Sequence, residues 1–356
     1  MNELTLAVAG SRKTQSIVDA CTVGDRNARR LVITYTISGQ RELEIRLGRA
    51  RLNGNQVTIT GWYSFLLQNC IGPYLPLLYP EVRLSGLNFE GNPGRYAKGT
   101  SRYFDSSGRA FRMHLSKLAR DVMTRSRGAV VDRISRMYDE IYIDEVQDLT
   151  GNDLHILEAL LKCKHLRIVM VGDVRQSVFD TNPHDQALRQ YRGLGMLDWF
   201  KQQESSGNLA IHERSDTWRS NQEIATFSDS ILPQSSGFPS TISKQDERTG
   251  HDGVFAVSEY HAAAYIDEFD PQPLRDSGAT AREVDLPFMN FGKVKGLTFD
   301  RVIIYPTGPI RKFIQGVDTL PDRSACRLYV GVTRARYSVA FVLPEPQGSG
   351  LEVWVP

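Results

Sequence analysis

The sequence has few features typical of membrane, secreted or disulfide-stabilised proteins. No apolar run approaches the roughly 20 residues that cross a bilayer, and the N-terminus lacks the basic flank and cleavage site of a secretory signal. The four cysteines are far apart and form neither a CxxC pair nor a zinc-like spacing with histidine: Cys21, Cys70, Cys163 and Cys326. We therefore expect buried, reduced thiols and a cytoplasmic protein with no membrane partner.

The composition is that of an ordinary globular protein, with one uneven feature in its charge. The 356 residues, 41% hydrophobic and 24% charged, suffice for two domains and disfavour disorder or a fibrous repeat. The net charge is only +2, yet residues 95–136 contain eleven Lys/Arg and three Asp. Such a basic segment on an otherwise acidic chain is attracted to a phosphate backbone. A solvated helix face is the alternative.

Strand-like and helix-like segments alternate along most of the chain. "LTLAVAG" is a short apolar run, and helical spacing of apolar residues follows in "KTQSIVDACTV". "RRLVITYT" predicts a strand, "GQRELEIRL" a helix, and "NQVTITGWYSFLLQN" a strand running into a helix. The rhythm resumes in "DEIYIDEVQD", "NDLHILEALLKC" and "RIVMVGD". This alternation predicts an α/β fold with a parallel sheet covered on both faces.

The alternation of strand-like and helix-like segments stops between residues 71 and 136. This stretch contains four prolines and the basic excess, and "GTSRYFDSSGRAFRMH" predicts a hairpin with a Ser-Ser-Gly turn. We interpret it as an insertion into a first domain of residues 1–192. A second domain, 193–356, repeats the pattern with "SNQEIATFSDSIL" as helix, "DGVFAVSEY" and "RVIIYP" as strands, and "RLYVGVTRARYSVAFVLPEP" as helix into strand.

The stretch "AVAGSRKT" has the local context of a phosphate-binding loop. A strand precedes it, its residues are small, and Lys13 and Thr14 open a helix, whose N-terminal N–H groups can surround phosphate oxygens. Lys13 would reach the β/γ-phosphates and the Thr14 hydroxyl would bind Mg²⁺. The stretch fails the strict GxxxxGK[ST] pattern twice, at Ala7 and at Arg12.

Two adjacent carboxylates, Asp144 and Glu145, follow a hydrophobic strand in "IYIDEVQD". Ligands bind at this edge of a parallel sheet. Asp144 would hold Mg²⁺, directly or through water, while Glu145 would orient and deprotonate an attacking water. The alternative is a solvated acidic turn.

Three further side chains suit the chemistry of phosphoryl transfer. Gln176 follows the strand in "VMVGDVRQSVF" and could sense a γ-phosphate without adding charge. Arg219, in "DTWRSNQEI", and Arg334, in "YVGVTRARYSV", could supply forked cationic donors to the oxygens that become negative.

The ordered set "AVAGSRKT", "LVITYT…REL", "TGWYSF", "YIDEVQD", "VGDVRQSVF", "TWRSNQEI", "KGLTFDRVIIYP" and "LYVGVTRAR" resembles the UvrD/Rep-like superfamily 1 DNA helicases, over nearly the whole chain. The resemblance implies two RecA-like P-loop NTPase domains that close on ATP and Mg²⁺, a small basic insertion in the first, and single-stranded DNA lying across both. Similarity to the UvrD branch also implies 3′ to 5′ movement.

The resemblance implies a set of binding residues in addition to those above. Trp218 stands where relatives usually have a tyrosine that stacks on adenine, and Tyr35 and Phe179 stand where aromatics stack on DNA bases. Those expected at the nucleotide are Ala9, Gly10, Ser11, Arg12, Lys13, Thr14, Trp218 and Gly296. Those expected at DNA are Tyr35, Thr36, Phe179, Arg102, Arg109 and Arg112.

The sequence also departs from the pattern of these helicases. Arg12 replaces the glycine before the P-loop lysine, so its side chain either turns outward and leaves the loop usable or distorts the loop and slows hydrolysis. Only a few residues precede the first strand, which leads us to expect loose discrimination between bases. The segment after Phe179, "DTNP", lacks the usual tryptophan platform.

Three functions are compatible with these motifs. The favoured one is an ATP-dependent translocase or helicase on single-stranded DNA. The runner-up is a slowly hydrolysing nucleotide- or DNA-sensing subunit that regulates a partner nuclease, because compact UvrD-like proteins resemble the helicase subunits of anti-phage systems such as Gabija, whose partner is an OLD-family nuclease. A small-molecule kinase with a P-loop would need neither "DEVQD" nor two distal arginines.

Overall fold

The computed structural model describes residues 1–25, 27–50, 56–178, 185–233 and 236–356. Within these ranges the chain forms two compact units. The first comprises Met1–Leu6, Lys13–Gly172 and Asp180–His212, and the second comprises Ala7–Arg12, Asp173–Phe179 and Glu213–Pro356. The division into domains at residues 192/193 stays a prediction.

Up to residue 214 the chain contains both strands and helices, and outside residues 71–136 they alternate as the apolar pattern predicts. The elements are β1 (Glu3–Ala7), α1 (Lys13–Val23), β2 (Arg29–Thr34), α2 (Ile37–Arg49), β3 (Gln56–Gly61), α3 (Trp62–Phe65), β4 (Gly86–Asn88), α4 (Thr100–Tyr103), β5 (Arg109–Phe111), α5 (Leu115–Arg125), α6 (Ala129–Met137), β6 (Glu140–Ile143), α7 (Asn152–Leu161), β7 (Arg167–Gly172), α8 (Met196–Ser205) and β8 (Ala210–Arg214).

The first unit is built on a six-stranded sheet of order β3-β2-β6-β7-β1-β8. The pairs β2–β3, β2–β6, β6–β7 and β1–β7 are all parallel. Because these strands run in one direction, the residues that follow Thr34, Gly61 and Ile143 emerge at the same edge. That edge positions the candidate site.

Helices cover the sheet through apolar residues at helical spacing. In α2, Leu43 and Leu47 are four residues apart and both face the core. Thr36 begins this helix, since its side chain accepts a hydrogen bond from the Gly39 N–H at 3.0 Å. In α1, Ile17 and Cys21 pack into the same cluster. The predicted helices therefore form because each buries one apolar face.

The predicted insertion contains its own two-stranded sheet, in which β4 pairs in parallel with β5. The Ser-Ser-Gly turn is confirmed: the Gly108 N–H donates to the Asp105 carbonyl at 3.0 Å, and Gly108 has φ of 75°. The hairpin arms are shorter than predicted. Across the turn Phe104 and Ala110 form an isolated antiparallel bridge, and the Asp105 N–H donates to the Arg109 carbonyl at 3.0 Å. The preceding residues form α4, and β5 pairs with β4 instead.

The remainder of the chain repeats the alternation. Its elements are β9 (Asp216–Thr217), α9 (Gln222–Ser230), β10 (Ile242–Ser243), β11 (Gly253–Ser258), α10 (Ala262–Phe269), β12 (Gln272–Arg275), β13 (Met289–Asn290), β14 (Phe299–Tyr305), α11 (Gly308–Ile314), α12 (Asp322–Val332), β15 (Ala335–Leu343) and β16 (Glu352–Trp354).

The second unit has a six-stranded sheet of order β13-β12-β14-β15-β11-β16, and all of its described pairs are parallel. Ile303, Val257 and Ala340 contribute to its apolar core. The predicted α/β class with two parallel sheets is thus confirmed.

Two further expectations concern thiols and membranes. The cysteines are all free; Cys21, Cys70 and Cys326 are buried, whereas Cys163 is half-buried. Burial raises the pKa of the Cys21 and Cys326 thiols to about 12. Among the helices within the described ranges, none combines the length and apolar character that spanning a bilayer requires.

Candidate nucleotide and nucleic-acid site

The first unit brings together a hydroxyl and a carboxylate from two predicted motifs. Thr14 lies in the first turn of α1, which begins at Lys13, and Asp144 follows β6. The Thr14 hydroxyl donates to Oδ2 of Asp144 at 2.8 Å. Both Lys13 and Asp144 are buried. Two hard oxygen ligands therefore converge beside a buried ammonium group at the N-terminus of a helix.

Asp144 is electrostatically strained. Burial, together with the neighbouring Glu145 carboxylate, raises the pKa of Asp144 to about 6, while Thr14 and Lys13 act in the opposite direction. Its Oδ1 accepts a hydrogen bond from the Glu145 N–H at 3.0 Å. A buried carboxylate in this position favours the binding of a cation, because a buried charge is stable only when it is paired.

Glu145 adopts a conformation that is uncommon for a residue with a side chain. Its φ of 55° and ψ of 42° lie in the left-handed region. Gln147 donates a hydrogen bond to the Glu145 carboxylate. Strain of this kind persists where the surrounding structure imposes it, often at functional sites.

The loop that precedes Lys13 belongs to the second unit. Gly10 has φ of 76°, and a Cβ there would lie 2.6 Å from Oγ1 of Thr217 and 2.7 Å from Cβ of Arg219. The Thr217 hydroxyl donates to the Ala9 carbonyl at 2.8 Å, and the Trp218 N–H donates to the Gly10 carbonyl at 3.0 Å. The loop is thus fixed against the "TWR" segment, and only glycine fits at position 10.

Arg12 takes the backbone conformation that a glycine would take. Its φ is 62°, in the left-handed region, and its side chain is exposed. The guanidinium carbon lies 4.0 Å from the centroid of the Trp218 ring. The side chain of Arg12 is thus exposed and lies over Trp218, while its effect on hydrolysis stays a prediction. The Ser11 hydroxyl, one residue earlier, is buried and has no hydrogen-bond partner among the residues described.

A buried polar network connects Gln176 and Arg334 within the second unit. Nη2 of Arg334 donates to Oε1 of Gln176 at 3.0 Å, and the Gln176 amide donates to Asp173 at 2.9 Å. Arg334 is only 1% exposed and also donates to the Val330 and Leu297 carbonyls, at 2.9 and 3.4 Å. Two of the predicted site residues are therefore in direct contact.

The same network includes Tyr329, which was not predicted. Its hydroxyl donates to Asp173 at 3.1 Å and accepts from the Ala9 N–H at 3.3 Å. Tyr329 thereby links the loop before Lys13 to the network around Gln176. It stands within the quoted motif "LYVGVTRAR", but no pattern of the sequence distinguishes it from the other residues of that motif.

Two other predicted residues lie at less constrained positions of the second unit. Nη1 of Arg219 donates to the Thr333 carbonyl at 3.0 Å, so its half-buried guanidinium is held beside the segment that contains Arg334. Gly296 is exposed with φ of 89°, and a Cβ built there would meet nothing within 4 Å. The space around Gly296 is open.

Aromatic side chains collect at the carboxyl edge of the first sheet. The rings of Tyr35 and Tyr63 are 5.8 Å apart and edge-on, with their hydroxyls at 3.3 Å. Tyr63 in turn contacts the exposed ring of Phe89, at 6.0 Å. Tyr63 and Phe89 were not predicted, although Tyr63 belongs to the quoted "TGWYSF". Phe179 and "DTNP" lie outside the described residues.

The three predicted basic residues differ in their surroundings. Burial raises the pKa of Tyr35 and of Tyr63, and the charge of Arg112 partly offsets this rise. The Arg112 guanidinium therefore lies near the two tyrosines. Arg102 is exposed and forms no ion pair within the described part of the chain. Arg109 pairs with Asp105 at 2.8 Å. Part of the basic excess is therefore neutralised locally.

Comparisons with known proteins extend these observations. The sequence model of the UvrD/REP helicase N-terminal domain matches residues 93–182, which include Asp144, Glu145 and Gln176. This part of the chain is thus similar to that domain. A comparison with curated protein sequences gives no match.

Solved helicase structures resemble the chain at low identity. The crystal structure of arterivirus nonstructural protein 10, a helicase, has a TM-score of 0.49 and 13% identity over 98% of this chain. The DNA complex of that helicase has 14% identity and the same TM-score, over 98% of this chain and 63% of its own. Pif1 helicase from Bacteroides, in complex with ADP-AlF3 and single-stranded DNA, has a TM-score of 0.40 and 10% identity, over 100% of this chain and 90% of its own. The chain spans 61% of the length of the arterivirus protein.

Proposed function

We propose that this chain is a nucleic-acid-dependent NTPase of the superfamily 1 helicase type, which uses Mg²⁺ and ATP to move on single-stranded DNA. The observation that carries the proposal is the 2.8 Å contact between Thr14 and Asp144, flanked in sequence by Lys13 and Glu145. Phosphoryl transfer requires a metal-binding hydroxyl and carboxylate, a lysine at the phosphates and a residue that positions water. A purely structural role would not require this combination at one edge of a sheet.

The donors present suit a magnesium ion. Mg²⁺ prefers oxygen ligands and is usually held by one or two carboxylates together with substrate phosphates. Thr14 and Asp144 are the residues that would hold it, and it would offset negative charge on the phosphates. Asp144 is buried beside a second carboxylate, and such a cation would stabilise its charged form.

The other residues of the chain act on the nucleotide and on water. Lys13, buried at the start of α1, would hold a phosphate with its ammonium group, together with the N–H groups of the helix N-terminus. Glu145, turned by its left-handed backbone, orients the attacking water and accepts its proton. Gln176, Arg219 and Arg334 are proposed to respond to the γ-phosphate and to stabilise its developing charge.

Nucleic acid would bind through the aromatic and basic groups of the first unit. Tyr35 offers a face on which a base can stack, and stacking tolerates any base sequence. Arg102 and Arg112 supply charge for the backbone. The match of residues 93–182 to a helicase domain, which overlaps the basic segment, supports this assignment. Movement from 3′ to 5′ is part of the proposal on the strength of the UvrD-like motifs, and a cytoplasmic location is proposed with it.

Steady-state ATP hydrolysis, measured with and without single-stranded DNA, tests the proposal. The wild-type chain should hydrolyse ATP, and DNA should raise the rate. Lys13→Ala and Glu145→Gln should abolish both rates, while Glu158→Gln, which changes a partly exposed carboxylate on α7, should leave them unchanged. Hydrolysis that persists in both active-site variants would refute the assignment.

A second candidate function rests on Arg12. A non-glycine residue at φ of 62° in this loop is consistent with slow hydrolysis, as in a regulatory subunit that senses nucleotide or DNA for a partner nuclease of an anti-phage system. Absence of turnover in the wild type, with turnover gained by Arg12→Gly, would favour this sensor. Copurification from the native host would test for an OLD-family nuclease.

A further inference from the structure

Arg12 and Trp218 form a stacked pair directly beside the loop that would hold phosphates. The guanidinium carbon lies 4.0 Å from the centre of the indole ring. Trp218 is 44% exposed, and its backbone N–H donates to the Gly10 carbonyl at 3.0 Å. The backbone of Trp218 is therefore held against the loop, and Arg12, itself a residue of that loop, covers one face of the ring.

A nucleobase can stack on that face only if it displaces Arg12. A stacked base requires the space directly above the ring, with centroids about 4.5–7 Å apart. The guanidinium occupies that space. Because arginine stacks on tryptophan through both cation–π and planar contacts, the pair is stable without a ligand.

We propose that Arg12 is a specificity-determining residue: by covering one face of Trp218 it weakens recognition of the base, so the site accepts nucleoside triphosphates of any base through their phosphates. The inference rests on the proposed nucleotide site. We therefore expect Trp218 to contribute little to nucleotide affinity while Arg12 is present.

Calorimetric titration of the full chain with the Mg²⁺ complexes of ATP, UTP and inorganic tripolyphosphate tests this. The wild type should bind ATP and UTP with affinities within about threefold of each other, and Trp218→Leu should leave that ratio unchanged. Arg12→Gly should expose the indole and raise the ATP:UTP ratio to about tenfold, because a purine stacks more strongly. The gain should vanish in the double variant Arg12→Gly/Trp218→Leu.

Arg12→Asn provides a second test, since asparagine tolerates the left-handed backbone and is too short to reach the ring. It should behave like Arg12→Gly. Two results would overturn the inference but leave the proposed nucleotide site intact. One is a wild-type preference for ATP over UTP above threefold that Trp218→Leu abolishes. The other is an ATP:UTP affinity ratio that neither Arg12 variant changes. Failure of all three ligands to bind, or binding unaffected by Lys13→Ala, would instead overturn the proposed nucleotide site on which the inference depends.

Discussion

The Thr14 hydroxyl lies 2.8 Å from Oδ2 of Asp144, although 130 residues separate them in the chain. The contact arises because α1 and β6 both present their functional ends at one edge of a parallel sheet. It joins the two motifs on which the proposed nucleotide chemistry depends.

Asp144→Asn should lower the rate of ATP hydrolysis by about 100- to 1000-fold, because the carboxylate that would hold Mg²⁺ loses its charge. The amide oxygen of the substituted side chain can still accept the Thr14 hydrogen bond, so the fold should be retained. Steady-state hydrolysis at saturating Mg²⁺, with circular dichroism as a check of folding, measures the effect. Glu158→Gln serves as the matched control, and an unchanged rate for Asp144→Asn would refute the metal assignment.

Arg334→Met should destabilise the second unit by about 2–4 kcal/mol, because it leaves Gln176 and two carbonyls buried without their donor. Arg336→Met is the control two residues away. That arginine forms exposed pairs with Asp300 and Glu247, each at 3.3 Å, and its loss should cost less than about 1 kcal/mol. Urea denaturation of both variants makes the comparison. Equal losses would contradict the buried network.

Arg102→Gln should weaken binding of single-stranded DNA more than Arg109→Gln does. The charge of Arg109 is already neutralised by Asp105, whereas Arg102 forms no ion pair among described residues. Each phosphate contact that is lost should reduce the slope of log affinity against log salt by about 0.7. Fluorescence anisotropy with a labelled oligonucleotide at several salt concentrations measures both quantities. A larger effect of Arg109→Gln would contradict the assignment of free charges.

The stability of the chain should fall as pH decreases from about 6.5 towards 4. His251 is stacked between Phe255 and Phe269, at 4.0 and 3.9 Å, and burial together with Arg301 lowers its pKa to about 4. Between the unfolded and folded pKa values the unfolded chain binds the additional proton, so protonation favours unfolding.

His251→Gln should flatten this pH dependence, since glutamine does not titrate. Thermal unfolding midpoints at pH 4.5, 5.5, 6.5 and 7.5 provide the measurement. A variant that loses stability as steeply as the wild type over this range would show that another group is responsible.

The alternating apolar pattern was sufficient to predict both parallel sheets, because buried strands and amphipathic helices each leave a periodic signal. The hairpin near Gly108 was predicted only in part. Its turn follows from local chemistry, but the pairing of β5 with β4 depends on a segment some twenty residues away.

The candidate site shows the same division. Lys13, Thr14, Asp144 and Glu145 could be identified because they follow strands in recognisable order. Tyr329 could not, since its hydrogen bonds to Ala9 and Asp173 join residues more than 150 positions apart. The contact of Arg12 with Trp218 likewise depends on a side-chain direction that no sequence pattern encodes.

A motor that uses ATP to move on DNA requires that the nucleotide site and the nucleic-acid site be coupled. The affinity of Glu145→Gln for labelled single-stranded DNA, measured with and without Mg·ATP, tests this without interference from hydrolysis. We predict that Mg·ATP changes the DNA affinity at least about fivefold, the lower end of typical coupling between sites. Equal DNA affinity in the two conditions, with ATP shown to be bound, would contradict the claim.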